Sequence, residues 1–420
     1  MNPRSLLFVA AIFAAILKLY CATTTIGTND VIFFHGFAKR INSNGLANTY
    51  RQFPVFNHTP LTAGFMAAVQ KLEAHAQKTQ DTSAANFLLL PLLLRLPGII
   101  ADFLAVLALA RLHALTGRPP SWSLLIFALS PVAFMVSGFH GNVDSVLAFL
   151  LLFAACMVVE NKPIACGVAL GLACNVKVAP LLLAPVFLAW WWEHGRAWRF
   201  SVAAGAVTLA GWMPALIGAP REFLGNVLGY QGYWGIWGLS YCLTATGVPM
   251  FSNAGFDQLS MEQRIIMTTM KWFVIAATLV LAWRRRKCRP MELFCTLSCV
   301  WAFFFVFATG VAPQYFVWLA PFLFVATPVW AAAVTAASSV FLFVFYNVTA
   351  NVITNGDQIV SGNPWTMPWD HPWNLAISEN PEIALWGPWS ALPWAVMIAY
   401  LAWLLPRLWS KDEAQRSQTI

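Results

Sequence analysis

The chain has 420 residues, of which 59% are hydrophobic and only 10% are charged. Soluble domains carry about 25% charged residues, so this composition excludes an ordinary soluble protein. The formal net charge is +8. Much of that charge lies in short clusters between apolar runs, which indicates membrane topology and not a surface for nucleic acid or acidic substrates.

Apolar runs near the length that spans a bilayer predict an all-α polytopic membrane protein with a single domain, residues 1–420. About twelve segments are expected, near residues 5–22, 85–110, 120–137, 142–159, 163–176, 178–192, 199–218, 264–283, 291–309, 313–328, 330–350 and 387–406. The first is predicted to be a retained helix, because Lys18 lies late in it and no clean cleavage site follows.

Basic residues between the segments predict which loops face the cytoplasm. They are Arg111, Arg118, Lys162, Arg196, Arg199, the cluster 284–289 and Arg407 with the tail 410–420. Both termini are then inside, and the loops 23–84, 219–262 and 351–386 are outside. If 163–176 and 178–192 formed one bent helix, the sidedness of everything downstream would reverse, but the charge distribution favours a hairpin.

The long first outer loop contains two amphipathic stretches, 29–43 and 60–76. Thr28 or Asn29 is suited to begin the first helix, and Asn44-Gly45 to end it. Its apolar side is expected to carry Phe33, Phe34, Phe37 and Ile41 and to lie in the membrane interface. Asp30 falls on this apolar side, either as a functional carboxylate or as a first-turn acid that satisfies the helix dipole.

Four further polar clusters interrupt apolar sequence, and each has a plainer alternative. They are Gly138–Asp144 with His140 and Asn142, Lys177 before Pro180, Pro313-Gln314-Tyr315, and Arg95 with Asp102 two turns later. Asp144 is alternatively a helix cap in a simple turn, Lys177 a side chain that reaches the interface, and Arg95 with Asp102 a structural ion pair. Asp30, His58, His140, Lys177 and Gln314-Tyr315 all map to the outer surface, which predicts an active site there.

The last outer loop, 351–386, is rich in Trp and Pro. Its repeated pairs predict an interfacial cap and not a flexible tail. These pairs are Pro364-Trp365, Pro368-Trp369 and Pro372-Trp373.

Together the motifs resemble those of the C-type glycosyltransferases (GT-C), polytopic enzymes that move a sugar from a polyprenyl-phosphate carrier. The matching features are Asp30 after the first helix, His58-Thr59-Pro60-Leu61, Arg95-Leu96-Pro97 with Asp102, Gly141-Asn142 with Asp144, Lys177 near Pro180, and Gln314-Tyr315 followed by Trp318 and Pro321. The last four are similar to the first mannosyltransferase of GPI-anchor assembly and to bacterial polyprenyl-phosphate-mannose-dependent enzymes. Two departures are Thr59, where the family often has Pro, and Asp144, where the GPI enzymes have Glu.

The resemblance implies a GT-C-like bundle with a lipid-linked sugar donor, mannose favoured, and a lipid or glycan acceptor. Asp30 is expected to be the general base, with Lys177, Arg95 and His140 binding the donor phosphate. His58, Asn142, Asp144, Gln314 and Tyr315 are expected to bind substrate. Inversion follows if Asp30 is a base, and retention if it is a nucleophile. No cofactor or metal is expected, since the chain has no Asp-x-Asp motif.

Two other readings remain at this point. About twelve helices also suit a secondary transporter, although no clear repeat is visible and the polar groups lie at one surface. A membrane scaffold leaves Asp30 and Lys177 unexplained. The expected location is a bacterial inner membrane with the site facing the periplasm, or alternatively the endoplasmic reticulum membrane. The sugar, acceptor and oligomeric state are open.

Overall fold

A computed structural model of the chain describes residues 3–79, 89–230, 232–252, 258–349, 352–355, 358–361, 375–378 and 383–417. The Pro-Trp pairs of the predicted interfacial cap lie outside these residues. Within them, the prediction of an all-α polytopic membrane protein is confirmed.

The first half of the described chain is helical almost throughout. Its helices are α1 (Pro3–Thr24), α2 (Asn29–Asn44), α3 (Leu46–Gln52), α4 (Pro60–Thr79), α5 (Leu89–Thr116), α6 (Ser121–Ala128), α7 (Pro131–Ala133), α8 (Asp144–Val159) and α9 (Pro163–Val176). A π-helical segment, Phe134–His140, continues α7.

The second half adds nine helices. They are α10 (Ala184–Glu193), α11 (Ala197–Gly218), α12 (Pro220–Leu228), α13 (Gly238–Ala245), α14 (Met261–Arg284), α15 (Pro290–Phe307), α16 (Phe316–Ala326), α17 (Pro328–Thr349) and α18 (Ile383–Ser417). Short 3₁₀ turns lie at Ala179–Leu182, Pro249–Phe251 and Pro313–Tyr315. Three short strands, β1 (Val352–Asn355), β2 (Gln358–Ser361) and β3 (Leu375–Ser378), form an antiparallel sheet in the order β2-β1-β3, which the sequence did not predict.

Eight helical stretches of the described chain are long and apolar enough to cross a membrane. They are Ser5–Thr24, Leu89–Thr116, Ser121–His140, Ala197–Gly218, Met261–Arg284, Pro290–Phe307, Pro328–Thr349 and Gly387–Trp409. Three other predicted segments are shorter apolar helices, Asp144–Val159, Pro163–Val176 and Pro313–Ala326. The twelfth, 178–192, is a 3₁₀ turn followed by the ten residues of α10.

Helices α9 and α11 run parallel, which settles the geometry of the predicted hairpin. At one end, Arg196 donates to the carbonyl of Asn161 at 3.2 Å. At the other, Asn175 donates to the carbonyl of Val207 at 2.8 Å. Because the two helices are parallel, the chain must return from the end of α9 to the level at which α9 began before α11 can start. Residues 178–193 make this return. The hairpin interpretation is therefore confirmed.

The ends of the bundle differ in charge. Glu160 is bound by Arg111 at 2.7 Å and by Lys162 at 2.5 Å, and Glu193 lies 3.3 Å from Arg286. We call this end, which carries the basic residues predicted to be cytoplasmic, the basic end. The candidate site residues lie at the opposite end, which we call the site end.

The predicted amphipathic helices of the first loop are α2 and α4, and they pack on each other and on α5. Gly45, with a φ of 80°, ends α2, as expected. The buried face is rotated from the predicted one: Val31, Phe34 and Ala38 pack against Met66 and Val69 of α4 and Leu90 and Leu94 of α5. Phe33 is 51% exposed. This face of α2 therefore packs on other helices of the chain.

Candidate active site

Asp30 lies in the first turn of α2, directly after the turn that follows the first membrane helix. The amide nitrogen of Asn142 donates to its Oδ2 at 2.6 Å, and Nε2 of His140 lies 3.0 Å from the same oxygen. The side chain remains 29% exposed. The carboxylate is thus fixed through one oxygen and accessible at its other side.

Two opposing effects set the acidity of Asp30. Burial raises its pKa, but the charges of His140 and Lys177 and the hydrogen bonds from His140 and Asn142 outweigh this effect. Together they lower the pKa to about 2. Asp30 is therefore a carboxylate throughout the physiological range.

Thr28 connects the start of α2 to His140. Its hydroxyl lies 2.9 Å from Nδ1 of His140 and donates to the backbone carbonyl of the same residue at 3.1 Å. It makes no side-chain cap hydrogen bond to α2. The face of the imidazole stacks on Tyr346 with ring centroids 5.5 Å apart. His140 is thus held along its edge and on its face.

The backbone around His140 explains the glycines that flank it. Gly141 has a φ of 86°, and a Cβ there would lie 2.7 Å from Val31 Cγ2. Gly138 packs on Lys18 of α1, where a Cβ would lie 3.2 Å from the Lys18 backbone. The turn after the π-helical segment therefore approaches α1 and α2 closely enough for His140 and Asn142 to reach Asp30.

A second charged pair lies beside the first. Lys177 donates to both carboxylate oxygens of Asp144, at 2.8 and 3.0 Å, and the indole of Trp318 donates to Asp144 Oδ1 at 2.8 Å. Asp144 is fully buried, whereas the Lys177 side chain is 16% exposed. Asp144 therefore faces protein groups, and Lys177 is the member of the pair that solvent or a ligand can reach.

Aromatic rings surround the Lys177 ammonium group. Tyr315 stacks on Trp318 with ring centroids 3.9 Å apart. The ammonium lies 4.9 Å from the Tyr315 ring centre and 5.6 Å from that of Trp318. Gln314 is buried in the same 3₁₀ turn. Ring faces at these distances stabilise a cation.

His58 lies among the aromatic rings of Phe34, Phe37 and Phe56, with ring centroids 4.9 to 5.9 Å away. Burial lowers its pKa, and the charge of Lys177 adds to this effect, so that the pKa is about 3 although Asp30 acts in the other direction. His58 is therefore neutral at physiological pH. His58 packs on Phe34, one turn after Asp30 on α2, and its neighbour Thr59 binds the end of α9 just before Lys177, so His58 lies beside the site.

Thr59 stands where the resembling enzymes often have proline, and its hydroxyl donates a hydrogen bond that a proline side chain could not make. Its hydroxyl donates to the backbone carbonyl of Asn175, at the end of α9. Thr62 donates to the next carbonyl, that of Val176, at 2.8 Å. These two hydroxyls satisfy carbonyls that end a helix and fix the segment that carries Lys177.

Arg95 is the predicted site residue that binds the end of the first membrane helix. It is fully buried, and its guanidinium donates to the carbonyl of Thr25 at 3.0 Å and to the hydroxyl of Thr25 at 3.1 Å, at the end of α1. A Cβ at Gly27 would lie 2.1 Å from the guanidinium. A Cβ at Gly141, between His140 and Asn142, would lie 3.5 Å from Arg95 Nε. The expectation that Arg95 binds the donor phosphate stays a prediction.

The alternative of an Arg95–Asp102 ion pair is wrong. Asp102 accepts from Lys18 of α1 at 2.5 Å and from the hydroxyl of Ser137 at 2.6 Å. Arg95 and Asp102 lie on one side of α5 but two turns apart along it. Arg95 therefore contacts Thr25 just after α1, whereas Asp102 contacts Lys18 within α1. The buried Lys18–Asp102 pair fixes α1 within the bundle.

Three residues near the site were not singled out from the sequence. They are Thr28 as a partner of His140, Tyr346 as its stacking partner, and Tyr230, which forms side-chain hydrogen bonds with Tyr315 and Asn57. Tyr346 is buried, and its hydroxyl has no hydrogen-bond partner among the residues described. Tyr230 lies within the predicted outer loop 219–262, and Tyr346 lies just before the predicted outer loop 351–386, which was the available signal.

The site end therefore brings together Asp30, His58, His140, Asn142, Asp144, Lys177, Gln314 and Tyr315. Within the described ranges, no group of three His, Cys, Asp or Glu side chains is placed to share a metal ion. Metal independence remains a prediction.

The sequence model of glycosyltransferase family 87 matches residues 82–310, more than half of the chain. The matched range contains His140, Asn142, Asp144 and Lys177, and it ends before Tyr315. No curated protein matches the chain.

Proposed function

Because the chain belongs to glycosyltransferase family 87, we propose that it moves a sugar, with mannose favoured, from a polyprenyl-phosphate carrier to a lipid-linked or glycan acceptor. That it is a membrane glycosyltransferase follows from the family and from its spanning helices. Family membership also favours an enzyme over the transporter and scaffold readings. The donor, sugar and mechanism are our proposal.

The observation that carries the mechanism is the position of Asp30. Its Oδ2 is held by Asn142 and His140, and the partly exposed carboxylate keeps Oδ1 for the proton of an acceptor hydroxyl. A positioned carboxylate serves as a general base in this way. A base, in contrast to a nucleophile, gives a single displacement at the sugar carbon, so the product is inverted.

The low pKa of Asp30 makes it a weak base in the free protein, and the proposed donor changes this. The phosphate that leaves the sugar gains negative charge in the transition state and competes with Asp30 for His140 and Lys177. As these cations turn to the phosphate, they stabilise the Asp30 carboxylate less, and its affinity for the acceptor proton rises. Departure of the phosphate and removal of the proton are then coupled.

Hydrogen-bond accounting supports a cationic His140. If the single hydrogen of the Thr28 hydroxyl is used on the His140 carbonyl, the same oxygen accepts from Nδ1. Nε2, 3.0 Å from a carboxylate oxygen, needs a hydrogen as well. Both nitrogens then carry hydrogens, and the imidazolium is a donor that can pass from Asp30 to phosphate.

Lys177 supplies the second cation. Two of its three ammonium hydrogens are directed to Asp144, and the third remains for a phosphate oxygen. Asp144 and Trp318 are then positioning residues for Lys177, and the Asp144 side chain is fully buried. Arg95 fits a positioning role too, since it fixes the end of α1 that leads to Thr28 and Asp30.

The site is proposed to face the outside of the membrane. The basic residues that the positive-inside rule assigns to the cytoplasm lie at the opposite end of the bundle. In a bacterial inner membrane, the site end would face the periplasm, where a lipid-linked donor replaces nucleotide sugars.

The test uses purified protein in lipid nanodiscs, with wild type beside Asp30→Asn and Asp30→Glu. Each is offered radiolabelled polyprenyl-phosphate sugars with a membrane lipid extract as acceptor, and donor binding is measured separately. We expect transfer by wild type, loss of about 10²–10⁴-fold in Asp30→Asn with donor binding kept, and partial activity in Asp30→Glu. Equal rates for wild type and Asp30→Asn would show that Asp30 is not the base, and failure of every donor to bind would refute the proposed donor class.

A further inference from the structure

A large groove lies on the membrane-facing side of the bundle, away from the site. Its volume is about 810 Å³, and it is lined by α8, by the start of α9 and by Arg199 of α11. Phe149, Phe153, Ile164 and Leu172 form most of its apolar wall. A second cavity of about 390 Å³ shares Phe153 and Lys162 with it and reaches Arg111.

The groove is separate from the active site. Asp144 is fully buried on the inner face of α8, whereas Phe153 on the groove side of the same helix is 36% exposed. Ile164 and Leu172 of α9 are likewise 57% and 38% exposed. The charged residues of the groove, Lys162 and Arg199, lie at the basic end, and Lys177 lies at the other end of α9.

Charge at the mouth of the groove decides what kind of apolar molecule suits it. Three cations line the two cavities, Arg111, Lys162 and Arg199, against one carboxylate, Glu160, which Arg111 and Lys162 bind. An uncharged lipid would leave this excess of positive charge unpaired. Basic pockets between helices at the cytoplasmic side bind anionic lipid headgroups.

We propose that this groove binds an anionic phospholipid of the membrane in which the protein resides. The headgroup phosphate is bound by Lys162 and Arg199, and the acyl chains lie along Phe149, Phe153 and Leu172, with the smaller cavity holding part of a second chain. The polyprenyl carrier is a poorer fit, because its phosphate must reach Lys177 at the opposite end. The choice of a phospholipid over this carrier rests on the proposed donor site, whereas the charge at the mouth of the groove does not depend on it.

The test is native mass spectrometry of the whole protein released from mixed micelles that contain equal amounts of phosphatidylglycerol and phosphatidylcholine. We expect wild type to retain phosphatidylglycerol about tenfold more than phosphatidylcholine. Lys162→Gln/Arg199→Gln should lose this preference. The matched control, Arg284→Gln/Lys287→Gln, removes one arginine and one lysine from the same end and should keep it.

A second variant tests the apolar wall. Val168→Phe fills the groove without changing a charge, so it should lower phosphatidylglycerol retention, and it should not change the thermal unfolding of lipid-free protein. Three results would overturn the proposal: no preference in wild type, a preference that survives Lys162→Gln/Arg199→Gln, or an equal loss in the control. Replacement of bound phosphatidylglycerol by an equal concentration of polyprenyl phosphate would also refute it and would assign the groove to the carrier.

Discussion

Lys177 and Asp144 form a bidentate ion pair, at 2.8 and 3.0 Å, in which the carboxylate is fully buried and the ammonium is not. This asymmetry predicts unequal effects of breaking the pair. Lys177→Met leaves a buried carboxylate with Trp318 as its remaining donor and should lower the free energy of unfolding by about 3–5 kcal/mol. Asp144→Asn should cost less, because Lys177 can turn to solvent.

The double variant Asp144→Asn/Lys177→Met gives the control for this pair. Because it leaves no unpaired charge, it should be more stable than Lys177→Met alone, as measured by thermal unfolding in one detergent. Additive losses in the double variant would mean that the two side chains are not energetically coupled.

The proposed imidazolium state of His140 predicts different effects for two replacements of Thr28. Thr28→Ser keeps the hydroxyl and should retain activity, whereas Thr28→Val removes the acceptor for Nδ1–H and should lower kcat about tenfold or more. The ¹⁵N shifts of His140 in labelled protein report the charge directly. Two protonated nitrogens are expected in wild type and Thr28→Ser. A neutral ring in wild type would contradict the mechanism even if Thr28→Val were inactive.

Glu73 of α4 predicts a pH dependence of stability outside the site. It is 1% exposed and lies 3.5 Å from His35, and burial raises its pKa to about 8, although Lys39 opposes this. The folded protein therefore holds a proton that the unfolded chain releases above about pH 4.5, and stability falls as pH rises from 4.5 to 8. Burial and Lys39 lower the pKa of His35 to about 4, so its contribution changes only below its unfolded value of 6.5.

Between pH 6.5 and 8.5 the change thus comes from Glu73, and wild type should lose about 2 kcal/mol of unfolding free energy across this window. Glu73→Gln should abolish that loss. Glu262→Gln, in the exposed first turn of α14, should leave it unchanged. A wild-type stability that is flat over the window would exclude the raised pKa.

The parallel packing of α9 and α11 predicts the effect of two glycine substitutions. A Cβ at Gly167 would lie 2.4 Å from the backbone carbonyl oxygen of Phe200, whereas a Cβ at Gly205 meets nothing within 4 Å. Gly167→Ala should therefore force the helices apart and lower the unfolding temperature. Gly205→Ala should be neutral or stabilising by up to about 1 kcal/mol, because alanine favours a helix. The order of the two unfolding temperatures is the measurement, and the reverse order would refute the packing.

The sequence contained enough information to bring the site residues to one end of the molecule. Apolar run length and the distribution of basic residues determine which helix ends lie on the same side of the membrane. The position of Asp30, His140 and Lys177 at one end of the bundle follows from these two patterns. Apolar run length and basic charge can be read from each segment alone, because they reflect how that segment interacts with the bilayer and with water.

Pairings within the bundle could not be derived in the same way. Whether Asp102 meets Arg95 or Lys18 depends on the rotation and depth of α1 against α5, which no local pattern encodes. For the same reason the periodicity of α2 did not show that Phe33 is exposed while Val31 is buried. Thr28 was expected as a helix cap. Its hydroxyl instead contacts His140, because the end of the π-helical segment Phe134–His140 packs against the start of α2.

The short helices beside the site have a consequence for the lipid around the protein. Helix α8 has 16 residues and α9 has 14, which correspond to lengths of about 24 and 21 Å, against about 30 Å for the hydrocarbon core of a bilayer. Lipids along this flank must shorten or tilt to match them. The membrane is therefore expected to be thinner here than around the longer helices, so that the headgroup layer dips toward Lys177 and a lipid-linked phosphate reaches it without leaving its leaflet.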